Sequence, residues 1–387
     1  MPQGGVSVPR KGFRWQGVAL GIALLFTATC EAGIFVPAAS MSEERAEHSA
    51  TVLATGEVLV VGGTVSIEVG LASAERYDSA TNSWSPASPL ANARRDHAAI
   101  LLPSGEVLVI GGYGANYVPL ASAEKYDPIT DTWTSAGSLA AARGLATANL
   151  LPSGKVLVAA GYHAGPLDSA EIYDPSTNAW SSAGTLGQAR AFHAATLLPS
   201  GKVLVAGGGD ANNAPLDSAE LYDPETNTWS PAAPMSQARS RPTATLLPGG
   251  QVLVAGGSGD FVNPILDSAE LYDPVSDTWS DAGMLTTGTG RLQTATLLLS
   301  GEMLAVGGVA GTNLSTDAAE LYDPNGDTWS VTGSLGTPRS LHSASLLPSG
   351  VVLVAGGTDG RFGLASAELY EPDLSDAIFA DGFEPSP

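Results

Sequence analysis

Basic residues, cysteine and long apolar runs are all scarce in this 387-residue chain. Its 17 Lys and Arg residues stand against 39 Asp and Glu, which gives a net charge of −22. Nucleic acids and anionic membranes are themselves negative, so neither is expected as a partner. Charged residues make up only 14% of the chain, whereas Gly and Pro number 46 and 26. This composition predicts a compact, turn-rich protein.

The single cysteine, Cys30, ends an apolar run over residues 17–30 that follows a basic stretch at residues 10–14. The run is too short to span a bilayer comfortably. Together these features predict a signal peptide over residues 1–32, cleaved after its last residue, and a secreted or periplasmic protein. A lipid anchor on Cys30 is less favoured, because residues 27–29 (Thr-Ala-Thr) form a poor lipobox. The mature chain would then contain no disulfide.

One unit is repeated seven times at a spacing of 47–50 residues. Each unit contains a Glu with a Tyr two positions later, and in six of the seven a Trp follows that Tyr by seven positions. The glutamates are Glu75, Glu124, Glu171, Glu220, Glu270, Glu320 and Glu368. Upstream, segments such as ATLLPSGKVLVAGG (residues 195–208) predict a hairpin that is apolar on both faces. Four short strands per unit are typical of a propeller blade, so the recurring Glu and Tyr are predicted to be scaffold.

The seventh unit lacks its Trp strand, and the N-terminus contains a match for it. Phe35 precedes Arg45 by ten residues, the interval that separates Trp from Arg in five other units. We therefore predict that the strand near Phe35 joins the last blade and closes the ring. The alternative gives that place to Ile378 and Phe379; both assignments leave seven blades.

A Gly-Gly doublet at the end of the second strand, followed by the spaced Tyr and Trp, resembles the kelch repeat. The resemblance covers residues 34–372 and implies an all-β, seven-bladed kelch propeller with four antiparallel strands per blade. It divides the chain into a signal peptide (1–32), the propeller (33–372) and a C-terminal tail (373–387). Family members usually hold ligands on the face built by the loops between strands. They include protein-binding modules, sialic acid mutarotases and galactose-oxidase-type copper enzymes, so the fold leaves the function open.

The copper-enzyme interpretation is disfavoured, because the radical cofactor of that family needs a cysteine and none follows residue 30. No Ser-His-Asp spacing, HExxH, zinc pattern or EF-hand loop is found, and we predict no catalytic group, metal or other cofactor. The doublet is not a phosphate loop. Its first position is Ala160 in the third unit, which predicts that only the second position needs a positive φ.

Two polar columns repeat in phase with the Trp. One consists of Arg45, Arg94, Arg143, Arg190, Arg239 and Arg339, with Gly290 in the sixth unit. It predicts a repeated Arg–Glu pair that joins strands or blades; the alternative is a ring of guanidinium groups at one mouth of the channel, holding a carboxylate-bearing ligand. The other column consists of His48, His97, His193 and His342. It predicts hydrogen-bonded imidazoles at strand starts; the alternative is a metal cluster formed by His342, His48 and His97, whose blades are neighbours in the ring.

Ligand contacts are expected in the segments that differ between units, chiefly the loops after the doublet and the additional arginines. Aromatic side chains beside amides and carboxylates suit a sugar or a peptide. The candidates are Arg95, Tyr113, Tyr117, Tyr162, His163, Asp210, Asn212, Arg241, Asp260, Phe261, Arg291 and Arg361. We expect a monomeric binding module for a protein or a glycan. The alternative is a carbohydrate-active enzyme of the epimerase or mutarotase type, using acid and base groups on the loop face.

Overall fold

Seven four-stranded antiparallel sheets, the blades, make up the fold of this computed structural model. The structure describes Met1 and residues 33–66, 69–259, 265–287, 290–311 and 314–373. The first strand of every blade lies beside the first strands of both neighbouring blades, so these strands form a closed inner ring around the central axis. The predicted seven-bladed, all-β propeller is therefore confirmed, and we number the blades in the chain order of their first strands.

The strand bounds follow the repeat. First strands are Ser49–Val52, Ala98–Leu101, Thr147–Leu150, Ala194–Leu197, Thr243–Leu246, Thr294–Leu297 and Ser343–Leu346. Second strands are Val58–Val61, Val107–Ile110, Val156–Ala159, Val203–Ala206, Val252–Ala255, Met303–Val306 and Val352–Ala355. Third strands are Ala74–Asp78, Ser122–Asp127, Leu167–Asp174, Ala219–Asp223, Ser268–Asp273, Ala319–Asp323 and Ala367–Glu371. Fourth strands are Ser83–Ala87, Thr132–Ser138, Ala179–Arg190, Thr228–Ala232, Thr278–Met284, Thr328–Val331 and, in blade 7, Ile34–Ala38.

Two short elements lie in the loops, namely a strand pair (Thr64–Ser66 with Val69–Gly70) and a 3-10 helix (Ala115–Tyr117). Within the described part of the chain, no helix is long and apolar enough to cross a membrane.

The hydrophobic core is divided into seven seams between adjacent blades. Second strands such as Val203–Ala206 are buried along their whole length, because a neighbouring blade covers each face. Between blades 3 and 4, Leu157 and Ala159 pack against Val203 and Tyr222. Every seam buries apolar side chains from two blades, so each blade depends on its neighbours for stability.

The repeated Tyr and Trp hold these seams together. Tyr222 is fully buried, and its hydroxyl donates a 2.8 Å hydrogen bond to Asn227 Oδ1. Its ring centroid lies 5.1 Å from that of Trp229. The indole Nε1 of Trp229 donates across the seam to the carbonyl of Ala183, at 2.8 Å. The predicted scaffold role of these residues is confirmed.

The ring is closed by the N-terminal strand. Ile34–Ala38 pairs antiparallel with Ala367–Glu371 and places Phe35 opposite Tyr370, with ring centroids 5.0 Å apart. Phe35 therefore takes the place that Trp holds in the other blades, as predicted. Ile378 and Phe379 lie outside the described residues.

The expectation about the glycine doublet was wrong. Both positions are left-handed, for example Gly207 at φ 65° and Gly208 at φ 106°, and Ala160 itself has φ 53°. The doublet turns the chain sharply beside the next blade, where a Cβ on Gly207 would meet the carbonyl oxygen of Arg239. Alanine adopts this conformation at a cost of about 1–2 kcal/mol. An alanine at residue 160 is therefore compatible with a left-handed backbone, and the prediction that the first position has a negative φ does not follow from it.

Candidate ligand site on the loop face

Two kinds of segment build one face of the propeller, which we call the loop face. They are the loop between the second and third strands and the connection from each fourth strand to the next blade. Bridges between the two kinds, such as Arg95 with Tyr113 and Gly144 with Tyr162, bring them together. The hairpins between first and second strands lie on the opposite face, because adjacent strands of a blade run antiparallel.

The six repeated arginines are buried in the scaffold. Each pairs with the repeated Glu of its own blade at 2.6–3.0 Å, and the side chain of each Arg is fully inaccessible. Arg190 also donates through Nη1 to the carbonyls of Gly207 (2.8 Å) and Ser218 (2.9 Å). This confirms the predicted pairing, and it leaves these guanidinium groups unable to form a ligand-binding ring.

Blade 6 replaces the missing arginine with threonine hydroxyl donors, which add to the backbone N–H donors found in other blades. Gly290 stands at the Arg position, and Glu320 is fully buried. Its carboxylate accepts hydrogen bonds from the backbone N–H groups of Thr286 (2.7 Å) and Thr287 (2.9 Å), and from the Thr286 hydroxyl (2.8 Å). A buried carboxylate is thus satisfied without a cation.

The four repeated histidines link adjacent first strands. Each Nε2 shares a hydrogen bond with a hydroxyl of the preceding blade, in the pairs His48–Ser343 (2.9 Å), His97–Ser49 (2.7 Å), His193–Thr147 (2.9 Å) and His342–Thr294 (3.1 Å). Burial, and next the adjacent arginine, lower the pKa of all four to about 3, so the imidazoles are neutral. The hydrogen-bonded interpretation therefore describes them. Across the described ranges, no three His, Cys, Asp or Glu side chains are grouped as metal ligands would be.

We expect His193→Gln to flatten the loss of stability on acidification. The folded pKa of His193 is about 3, below its ordinary value of 6.5, so unfolding takes up a proton between these pH values. Each such histidine lowers the free energy of unfolding by up to about 1.4 kcal/mol per pH unit as the pH falls. Urea unfolding of wild type and variant between pH 4 and 6 measures the two slopes. Glutamine already occupies this column at Gln293, and equal slopes would contradict the prediction.

A ring of left-handed residues surrounds the axis on the loop face. It lies two positions after each Arg-column residue, and we call it the axial ring. Its members all have φ between 51° and 59°: Glu47, Asp96, Leu145, Phe192, Arg241, Leu292 and Leu341. Backbone hydrogen bonds join neighbours in the ring, such as Asp96 N to Glu47 O (3.1 Å) and Leu145 N to Asp96 O (3.0 Å). None is glycine, and strained backbone of this kind clusters at functional sites.

A cavity of about 410 Å³, the axial pocket, opens over this ring. Its lining residues are Glu47, Asp96, Tyr113, Tyr117, Leu145, Tyr162, Phe192, Asn213 and Arg241. The volume lies within the range of small-molecule sites. Four predicted candidates meet here, namely Tyr113, Tyr117, Tyr162 and Arg241. Sequence reasoning missed Glu47, Asp96 and Phe192, although their common offset from the Arg column was visible.

The charged groups of the axial pocket fall into two sets. Arg95 Nη1 is 3.1 Å from Glu47 Oε2, and its Cζ lies 3.7 Å from the ring centroid of Tyr117. This candidate is therefore buried and serves the pocket by neutralising Glu47. Arg241 stacks on Phe192, with Cζ 3.7 Å from the ring centroid.

Asp96 has the most perturbed carboxyl group in the axial pocket. Burial, and next the charge of Glu47, raise its pKa to about 7, so near neutral pH it is partly protonated. Among the described residues, neither the Asp96 carboxyl nor the Arg241 guanidinium has a hydrogen bond or an ion pair. Burial and Asp96 also raise the pKa of Tyr113, which stays a neutral donor.

The other candidates lie outside the axial pocket. His163 is exposed and bonds through Nδ1 to the carbonyl of Ala142 (3.0 Å). Asp210 accepts from two backbone N–H groups of its own loop, that of Asn212 among them, at 2.8 Å each. Arg361 is exposed in the loop of blade 7.

The backbone of Arg291 forms an antiparallel β-bridge with Val309 in blade 6. Its positive charge helps to lower the pKa of Arg241, for which burial is the main cause. Asp260 and Phe261 lie outside the described residues.

The loops of blades 6, 7, 1 and 2, which are consecutive in the ring, carry exposed apolar side chains that we call the apolar arc. Its exposed side chains are Leu314, Phe362, Val65, Tyr117 and Val118, each 39–70% accessible. The loops of blades 6 and 7 contact each other, and Ser315 Oγ donates to the Thr358 carbonyl at 2.9 Å. Exposed apolar surface of this kind marks interaction sites. The arc meets the axial pocket at Tyr117, which belongs to both.

Comparisons with known proteins agree with this architecture. The KLHDC2/KLHL20/DRC7 Kelch-repeats domain matches residues 146–357, and the Kelch motif matches residues 45–91 and 94–140. A fungal alcohol oxidase of the AA5 family, in complex with copper, superposes with a TM-score of 0.73 at 18% identity, over 92% of this chain and 79% of that one. The structure of YjhT superposes with a TM-score of 0.60 at 16% identity, over 76% and 99%. At these identities the likeness shows the fold alone. No curated protein matches the sequence.

Proposed function

Since the chain belongs to the kelch-repeat family, whose propellers are generally interaction modules, we propose that it binds a protein or a glycan through its loop face. The observation that carries the proposal is the union of an apolar arc with a charged axial pocket on that one face. Apolar surface supplies binding energy, and convergent polar groups supply orientation.

The same proposal includes export and a monomeric state. Export is supported by the basic stretch and apolar run of residues 10–30. A monomer is supported by the ring, which a strand of the same chain completes. Tyrosine rings beside carboxyl, amide and guanidinium groups suit sugar stacking with hydrogen bonds, and they suit a peptide equally.

We expect Tyr117→Ala and Phe362→Ala to weaken ligand binding about 10-fold each, a typical loss for a truncated aromatic contact. Matched controls are Ile129→Ala and Val275→Ala, which remove apolar side chains 92% and 95% exposed in turns of the opposite face. Residues 33–387 would be screened on glycan and peptide arrays, and the strongest hit titrated against all four variants. Losses confined to the two controls would place the binding surface on the opposite face and overturn the proposal.

A carbohydrate-active enzyme of the epimerase or mutarotase type is the second candidate. The observation that favours it is Asp96, whose pKa of about 7 beside Glu47 suits a group that both donates and accepts protons. Accelerated interconversion of sugar anomers, followed by NMR and abolished by Asp96→Asn, would support it over simple binding.

A further inference from the structure

The axial ring places opposite charges on opposite sides of the axis. Its acidic members, Glu47 and Asp96, belong to blades 1 and 2, and its cationic member, Arg241, belongs to blade 5. In a ring of seven, blade 5 faces the boundary between blades 1 and 2. The remaining members, Leu145, Phe192, Leu292 and Leu341, are apolar. The pocket is therefore polarised across its width.

Neither pole is satisfied within the described part of the protein. Arg95 neutralises Glu47 at 3.1 Å and leaves Asp96 as the free carboxyl of the acidic side. On the other side, the Arg241 guanidinium stacks on the face of Phe192 and has no hydrogen bond or ion pair among the described residues. The charge of Asp96 acts on it across the pocket, and Arg291 adds a second positive charge nearby. Partly buried charges without partners are costly, and a ligand that pairs with both removes that cost.

The backbones of the two poles are fixed on different sides of the axial ring. Asp96 N is bonded to Glu47 O, and Arg241 N to Phe192 O at 2.8 Å, so each residue is held to its own side of the ring. The space between them is the 410 Å³ cavity itself, walled by Tyr113 and Tyr162.

We propose that the axial pocket binds a small zwitterion, with its ammonium group toward Asp96 and its carboxylate toward Arg241. This goes beyond the proposed function, because it gives the axial pocket a small ligand of its own beside the protein or glycan bound by the loop face. The carboxylate can accept two parallel hydrogen bonds from a guanidinium. The ammonium group is attracted by the Asp96 carboxyl group and by the faces of the tyrosine rings beside it.

Calorimetric titration of residues 33–387 tests the proposal with three matched series. These are ω-amino acids from glycine to aminooctanoate, the n-alkylamines and the n-alkylcarboxylates of the same lengths. At least one amino acid is expected to bind about 10-fold more tightly than both single-charge analogues of its length, in line with the gain from a second charged contact. Equal affinity across the three series would overturn the proposal.

Variants assign the preference to the two poles. Asp96→Asn should abolish the increase in affinity that the ammonium group provides. Arg241→Gln should abolish the increase that the carboxylate provides. Arg241→Lys keeps the charge but cannot form the two parallel hydrogen bonds, so it should retain only part of the preference, which separates the effect of charge from that of the guanidinium geometry. An unchanged preference in Asp96→Asn would contradict the assignment, and Ile129→Ala is the neutral control.

The zwitterion test and the array screen can fail separately. The first outcome is an array hit that Tyr117→Ala weakens, with no preference for zwitterions in the titrations. It would support the proposed function and overturn this inference. Zwitterion preference without any array hit would support the inference and overturn recognition of a protein or glycan.

Discussion

Arg190→Ala is expected to lower the free energy of unfolding by about 3–5 kcal/mol, the range for breaking a buried ion pair by removing one partner. The variant would leave Glu220 buried without its cation, because the Arg190 Nη2 donor at 2.8 Å is removed. It would also leave the carbonyls of Gly207 and Ser218 without the Nη1 donor. Urea unfolding followed by tryptophan fluorescence measures the change.

Lys202→Ala is the matched control for that prediction. Lys202 forms the other ion pair of blade 4, with Asp223 at 3.2 Å, but both side chains are partly exposed. Solvent and salt screen such a pair, so its loss should hardly move the unfolding midpoint. A midpoint shift for Arg190→Ala no larger than that for Lys202→Ala would show that the repeated pair contributes little to stability.

Removal of residues 33–38 is expected to destabilise the propeller by more than about 4 kcal/mol, the range of the most severe single changes. The deletion strips the fourth strand from blade 7, uncovers Tyr370 and leaves the edge of Ala367–Glu371 unpaired. Open edges recruit other chains, so dimers or aggregates should appear in size-exclusion chromatography.

Two matched chains control for the deletion. A chain that ends at residue 373 keeps the closing strand and lacks the segment of the alternative assignment, so it should unfold like the full propeller. Phe35→Trp restores the residue found in the other six blades and should also be tolerated. If the C-terminal truncation were the damaging one, the closing strand would have been assigned to the wrong end.

The fold was predictable from the sequence because its determinants are repeated in identity as well as in spacing. A Tyr and a Glu recur in every unit at the positions of Tyr222 and Glu220. Their burial and pairing could therefore be predicted from their place in the repeat. Phe35 could be placed in the last blade by its distance to Arg45. Averaging over seven copies turns weak local propensities into a strong signal.

The candidate site was less predictable, for the opposite reason. The axial ring is repeated in backbone conformation but not in residue type, so the common offset of Asp96 and Glu47 from the Arg column did not mark them as parts of one site. The one signal for Arg241 in the sequence is its position outside the repeated Arg column. The left-handed backbone carries no glycine that would reveal it, as Ala160 also illustrates.

Closure by the N-terminal strand has a consequence for how the chain is made. Synthesis proceeds from the N-terminus, so Ile34–Ala38 is among the first parts of the propeller to be completed, and its partner Ala367–Glu371 among the last. A chain that stops before Ala367–Glu371 must therefore remain an open arc with two free edges. Bringing two such distant segments together carries a large loop-closure entropy, which the intervening blades reduce as they stack. Ring closure thus shows that synthesis has passed the strand Ala367–Glu371, and a shorter product keeps its open edges exposed to proteases.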